Sequence, residues 1–126
     1  MGNLTKNFSL SEFNCRDENN TPVPDELYAN VKKLAEQLQV LRDYLGVPIH
    51  INSGYRTMAH NKVIGGEKNS YHLKGMAADI TVRDLTSSKV NFAIDYLIGE
   101  KRMKQGGLGH YVGFTHYDIR RKKARW

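Results

Sequence analysis

The feature that most constrains this chain is a stripe of apolar residues in its first half. Leu27, Val31, Leu34, Leu38, Leu41 and Leu45 recur at steps of four and three, and Gly46 stands where a helix would stop. That spacing predicts an amphipathic helix running from just after Pro24 to Leu45. Such a helix has one face to bury, and the segments after it supply a sheet. Val47 to Asn52 (VPIHIN) alternates, with Ile49 and Ile51 on one face, and reads as a strand entering the loop Ser53-Gly54. After His72, the stretch MAADITV reads as a second strand, with Asp79 facing opposite to Ala78 and Ile80.

The rest of the chain follows the same logic. Phe8, Leu10 and Phe13 sit among polar residues and suggest a short helical turn before a loop ending at Thr21-Pro22. Tyr55 to Lys62 reads as a short helix, and 63–70, with Gly65-Gly66, as a loop. Thr86-Ser87-Ser88 offers caps for a helix through about Ile98, with Val90, Ala93, Ile94 and Leu97 at helical spacing. GLGHYVGFTHYDIR looks like two short strands joined near Val112-Gly113, and RRKKARW closes the chain as a basic run ending in tryptophan. With no repeat or linker, the expectation is one α+β domain over 1–126 with a mostly antiparallel sheet.

Composition narrows the function classes. Hydrophobic residues make up 40% and charged residues 25%, which suits a folded globular chain and argues against a disordered one. Nineteen Lys and Arg against thirteen Asp and Glu leave a net charge of +6, so an anionic partner is expected: nucleic acid, anionic lipid or bacterial wall polymer. A nucleic-acid binder would be expected to show a basic stripe or an aromatic stacking platform, and the basic residues are scattered until the tail. The single cysteine, Cys15, makes neither an internal disulfide nor a multi-cysteine metal cage. No basic-then-apolar leader opens the chain, and no segment approaches the roughly 18 apolar residues of a membrane span. The start MGNLTK departs from an acylation signal at Lys6. The expectation is a chain made without a signal peptide.

Three residues have the chemistry of a metal site. His72, Asp79 and His116 offer two imidazoles and a carboxylate from three separate places in the fold, a set that suits one zinc ion without excluding other divalent metals. Zinc brings the pKa of a bound water near 7, within reach of attack on an amide carbonyl. The reaction also needs a carboxylate to move the proton and a donor for the developing oxyanion. Asp118, two residues from His116 and on the same strand face, is the candidate for the first, and Arg56 beside Ser53-Gly54 for the second. Each residue also has a plainer reading: Asp79 as a turn cap, Asp118 as a partner of Arg120 or Arg121, Arg56 as a solvated arginine. His50 and His60 read as structural or exposed.

A wider pattern joins these residues. S-G-Y-R (Ser53 to Arg56), Asn61, Gly65-Gly66, S-x-H-x-x-G-x-A-x-D (Ser70 to Asp79), G-x-G-x-Y and F-x-H-x-D (Gly107 to Asp118) together resemble the M15 family of zinc D-Ala-D-Ala peptidases. The likeness is strongest to its short branch of murein endopeptidases and phage endolysin-like proteins, and runs from about Phe8 to Trp126. The resemblance implies the fold shared by DD-peptidases and Hedgehog-type signalling domains, with His72, Asp79 and His116 as zinc ligands and Arg56 binding and polarising the substrate. It also puts Ser70 beside the first ligand, with Tyr55 and His110 as weaker substrate-binding candidates. Better-known members carry the catalytic carboxylate three residues before the last ligand, where this chain has Gly113, so the expected base is Asp118, as the H-x-D pattern suggests, or else another residue.

The expected function is therefore a zinc peptidase, endopeptidase or carboxypeptidase, acting as a monomer at the bacterial wall on a peptidoglycan bond next to a D-amino acid. The basic tail would add attraction to the wall, or be a solvated, frayed end. The alternative is a catalytically silent module that keeps zinc and binds the wall.

Overall fold

The computed structural model describes residues 2–126; Met1, the first residue of the acylation outline, lies outside them. Short 3-10 turns at Leu10–Phe13 and Asp25–Leu27 precede helix α1, Tyr28–Leu45. Its first turn is tighter than the apolar spacing predicts, because the carbonyl of Pro24 accepts from the Leu27 amide at 3.0 Å. Val31, Leu34, Leu38 and Leu41 are fully buried, and Gly46 ends the helix in the left-handed region at φ 71°.

Five strands follow: β1 (Ile49–Ser53), β2 (Ala77–Val82), β3 (Gly107–His110), β4 (Thr115–Asp118) and β5 (Ala124–Arg125). They lie in the order β1-β2-β4-β3-β5, with the first four antiparallel and β5 parallel to β3. Helix α2 (Met58–Val63) and a 3-10 turn (Tyr71–Lys74) fill the connection from β1 to β2, and α3 (Ser87–Gly99) the one from β2 to β3. Thr57 and Thr86 cap α2 and α3, each accepting a backbone N–H on its side-chain oxygen. The fold is α+β with a mostly antiparallel sheet, as the periodicities predict.

The period of two divides the sheet into a core face and a polar face. Ile51, Ala78, Ile80, Leu108 and Tyr117 join the apolar residues of α1 and α3 in one buried cluster. Phe8 and Phe13 from the N-terminal segment belong to the same cluster. Cys15 is buried, its sulfur facing the Thr57 amide at 3.5 Å, and forms no disulfide.

The tail differs from its reading as a frayed end. Residues 121–123 are exposed, but Ala124–Arg125 adds a strand to the edge of β3. Arg125 pairs with Asp95 of α3 at 3.0 Å and donates to the Gly106 carbonyl at 2.8 Å. These partners are distant in sequence, so a charged two-residue strand left no local signal.

Candidate metal centre

The centre begins with sheet register. On the polar face, Ser53 of β1, Asp79 of β2, His116 of β4 and Gly109 of β3 lie side by side in one row. Asp79 and His116 are therefore direct cross-strand neighbours. His72 arrives from the 3-10 turn before β2. Ser70 caps that turn, its Oγ accepting from the His72 amide at 3.1 Å, and Gly75 leaves it at φ 67°, where a side chain would be strained.

The hydrogen bonds around the two imidazoles fix which nitrogens face inward. His72 Nδ1 donates to the Gly54 carbonyl at 2.7 Å, so its Nε2 carries a lone pair. That Nε2 is buried, has no hydrogen-bond partner among the described residues, and sits 3.3 Å from Asp79 Oδ1. His116 Nε2 donates to Asp118 Oδ2 at 2.7 Å, which turns the Nδ1 lone pair toward Asp79 Oδ1 at 2.9 Å. The two imidazoles and Asp79 offer ligand atoms all within 4.8 Å of one another.

Three lone pairs converging in a buried space repel one another unless a cation or a proton lies among them. Two nitrogens and one carboxylate oxygen form a donor set that fits a divalent ion such as zinc, and the orphaned Nε2 of His72 is the plainest sign of that fit. In the metal-free protein a proton serves instead. Burial alone would lower the His116 pKa, but hydrogen bonds to Asp118 and Asp79 raise it above its ordinary value. Burial pushes the Asp79 carboxyl up, and the two histidines outweigh it, holding the group well below the usual carboxylate range.

Around this centre lies a cavity of about 740 Å³. Arg56 forms one wall. Its guanidinium donates to Ser53 Oγ at 3.3 Å, Asn61 Oδ1 at 3.1 Å and Asp79 Oδ2 at 3.3 Å, so it is anchored rather than solvated. Burial lowers its pKa and the Asp79 charge opposes that shift. Another part of the lining is aromatic. Tyr111 and Phe114 stack at 4.4 Å, Trp126 donates its indole N–H to the Tyr111 hydroxyl at 2.7 Å, and its ring lies 5.1 Å from His116.

Residues 6–118 match the sequence profile of the family described as Peptidase M15. The chain belongs to the peptidase M15 family. Among its curated relatives are peptidoglycan L,D-endopeptidases MepK from Escherichia coli K12, Escherichia coli O157:H7 and Shigella flexneri. Each is 33% identical over 94 residues, covering 68% of this chain and 48% of the relative. The chain thus spans about half the length of the curated relatives it matches.

Within this M15 chain the expected residues occupy different places. His72, Asp79, His116 and Arg56 meet at the cavity, with Ser70 on its rim. Asp118 stands behind His116, fully buried and off the cavity wall, whereas the sequence pattern expects it to face the attacking water. Its Oδ1 accepts from the amides of Gly107 (3.0 Å) and Arg120 (3.1 Å) and from Arg120 Nε (2.8 Å). Its Oδ2 accepts from Arg120 Nη2 and His116 Nε2, each at 2.7 Å. Burial raises its pKa, but these donors outweigh it and hold the carboxyl well below the usual range.

His110 and Tyr55 also lie off the cavity wall. His110 points to the N-terminus of α3, its Nε2 3.1 Å from Ser88 Oγ, and Tyr55 packs against the core. Gly113 is exposed in the β3–β4 turn, with open space around it. The sequence reading missed the aromatic wall. A signal for it was present: Gly107 and Gly109, two apart in a strand, expose the polar face to close approach. A Cβ at Gly109 would lie 2.6 Å from the Trp126 ring, and one at Gly107 would collide with Asp118.

Proposed function

We propose that this chain is a single zinc-dependent peptidase domain, over 1–126, that hydrolyses a peptide bond of bacterial peptidoglycan beside a D-amino acid. The observation that carries this reading is the orphaned Nε2 of His72 converging with Asp79 and His116 in a peptidase-family cavity. When bound, zinc supplies Lewis acidity, lowering the pKa of a water to about 7 and polarising a carbonyl. His72, Asp79 and His116 would hold the ion, and the Gly54 carbonyl and Asp118 keep each imidazole in the tautomer that leaves its inner nitrogen free.

Arg56, fixed by Ser53, Asn61 and Asp79, presents a rigid guanidinium toward the substrate carbonyl and the negative charge that develops on it. Tyr111, Phe114 and Trp126 offer flat apolar surface to the peptide. Asp118 is assigned the role of a positioning residue. All its hydrogen bonds serve to hold His116 and the β3–β4 edge, and it acts through the imidazole rather than on the substrate.

The test is mass spectrometry of soluble products after incubation with purified peptidoglycan, with a chelated control and zinc add-back. New stem-peptide fragments that vanish with chelator and return with zinc support the reading, and their masses identify the bond. The second reading, a zinc-containing wall-binding module, is favoured by one observation: Gly113 has no carboxylate, and that of Asp118 faces away from the cavity. It requires bound metal and wall binding with no soluble products from folded protein.

A further inference from the structure

We propose that a second, cationic groove beside the metal centre binds carboxylate groups of the peptide that the centre cuts; this inference rests on the hydrolase reading. The groove, of about 780 Å³, adjoins the cavity along Tyr71 and Arg120, which line both. Its cations are Lys33 from α1, Lys74 from the 3-10 turn, Lys104 before β3, and Arg121, Lys122 and Lys123 between β4 and β5. No Asp or Glu lines it, and none of the six is ion-paired among the described residues.

The net +6 is 19 cations less 13 acids; setting the six aside leaves 13 against 13. Six of the 19 cations therefore line one concave place with no acid beside them, where like charges reinforce a local positive potential. The groove is also built rather than incidental. Met76 and Ile119 line it with apolar surface, and Asn30 of α1 donates to the Lys74 carbonyl at 2.9 Å, tying the helix that carries Lys33 to the turn that carries Lys74.

The dividing wall is rigid. Arg120 is forked onto Asp118, and its guanidinium lies 4.4 Å from the Tyr71 ring and 5.1 Å from the Trp126 ring. Its charge is matched by Asp118, so it serves as a partition while the six unpaired cations face the ligand. A chain crossing that partition would occupy the cavity with its scissile bond and the groove with its next residues. Apolar surface between spaced cations suits a peptide bearing separated carboxylates better than a uniformly charged phosphodiester chain.

The experiment measures co-sedimentation of the zinc-loaded full chain with insoluble peptidoglycan freed of phosphate polymers. Wild type is compared with K33Q/K74Q/K104Q and with R121Q/K122Q/K123Q, using native wall, wall with its carboxyls amidated, and wall that keeps its phosphate polymers. All six side chains are in exposed residues or on the groove rim, and circular dichroism with zinc content verifies folding. The expected result is a roughly tenfold weaker binding for each triple variant on native wall, from three screened contacts each. Wild type on amidated wall should fall to the level of the variants, and digestion should show a raised KM with kcat unchanged. Equal binding by variants and wild type, undiminished binding to amidated wall, or a variant effect seen only with phosphate polymers present would overturn the proposal. Carboxylate-dependent binding without soluble fragments would sink the hydrolase reading and leave the groove standing.

Discussion

Replacing Asp118 with Asn keeps its shape and removes its charge, and so separates the two roles a carboxylate beside His116 can have. The exchange turns one acceptor oxygen into an N–H donor. Either orientation meets donors, since Oδ1 takes the amides of Gly107 and Arg120 with Arg120 Nε, and Oδ2 takes His116 Nε2 and Arg120 Nη2. With the amide nitrogen at the less crowded Oδ2 position, His116 must accept there and carry its proton on Nδ1, the atom facing Asp79. Metal binding then has to displace that tautomer. Loss of such a supporting partner weakens metal affinity about 10–100-fold, or about 1.4–2.8 kcal/mol. Stability falls as well, because Arg120 loses its carboxylate. A fully buried pair broken on one side costs about 3–5 kcal/mol; the Arg120 side chain is 23% exposed, and water reduces this to about 2–3 kcal/mol. For a chain of this size that lowers Tm by roughly 8–12 °C. Competition with a chromogenic chelator measures the first quantity and calorimetry the second. Zinc affinity equal to wild type, with turnover abolished, would refute the positioning role and return Asp118 to proton transfer.

Four further outcomes are expected. His72→Ala and Asp79→Ala should each strip bound zinc, measured by elemental analysis; wild-type zinc in both would show the ion lies elsewhere. Arg56→Lys keeps the charge but loses the fork to Ser53, Asn61 and Asp79, and kcat/KM should fall about 10²-fold with zinc content unchanged. Gly109→Ala puts a methyl against the only tryptophan, so the emission of Trp126 should shift to the red and KM rise; an unchanged spectrum would contradict the packing. In metal-free protein, His116 is raised above its ordinary 6.5, so its contribution is full below that pH and lost as pH rises through the folded value. Asp79 and Asp118 are depressed from 3.8, so theirs is present above that pH and lost as pH falls through the folded values. The Tm of chelated protein should therefore peak in mildly acidic buffer, while zinc affinity rises with pH as His116 gives up its proton; a Tm still climbing above pH 7 would be inconsistent with the imidazolium bridge.

Much of this was legible in local patterns. The steps of three and four from Leu27 to Leu45 have one helical solution, and alternation around Ile49–Ile51 and His116–Asp118 has one strand solution, because side-chain direction follows backbone period. The same alternation put Asp79 opposite in direction to Ala78 and Ile80, which joined the core. The tail resisted such reading because β5 is two residues long and its bonds go to Leu108, His110, Gly106 and Asp95. Asp118 was ambiguous for a related reason. Sharing a face with His116 is a property of spacing, but whether the carboxylate faces solvent or is enclosed depends on Gly107 across the sheet and Arg120 past the strand end.

The sequence by itself determined which residue types were available, their order, and which faces of helix and strand they occupy, since these follow from covalent geometry and period. Tertiary structure alone decided the pairing of Asp79 with His116, the tautomers set by Gly54 and Asp118, the docking of Trp126 at the centre, and the gathering of Lys33, Lys74 and Lys104 with the Arg121–Lys123 run into one groove. Apart from the His116–Asp118 pair, each of these is a contact between segments remote in the chain, and register and packing fix such contacts only when the sheet is assembled.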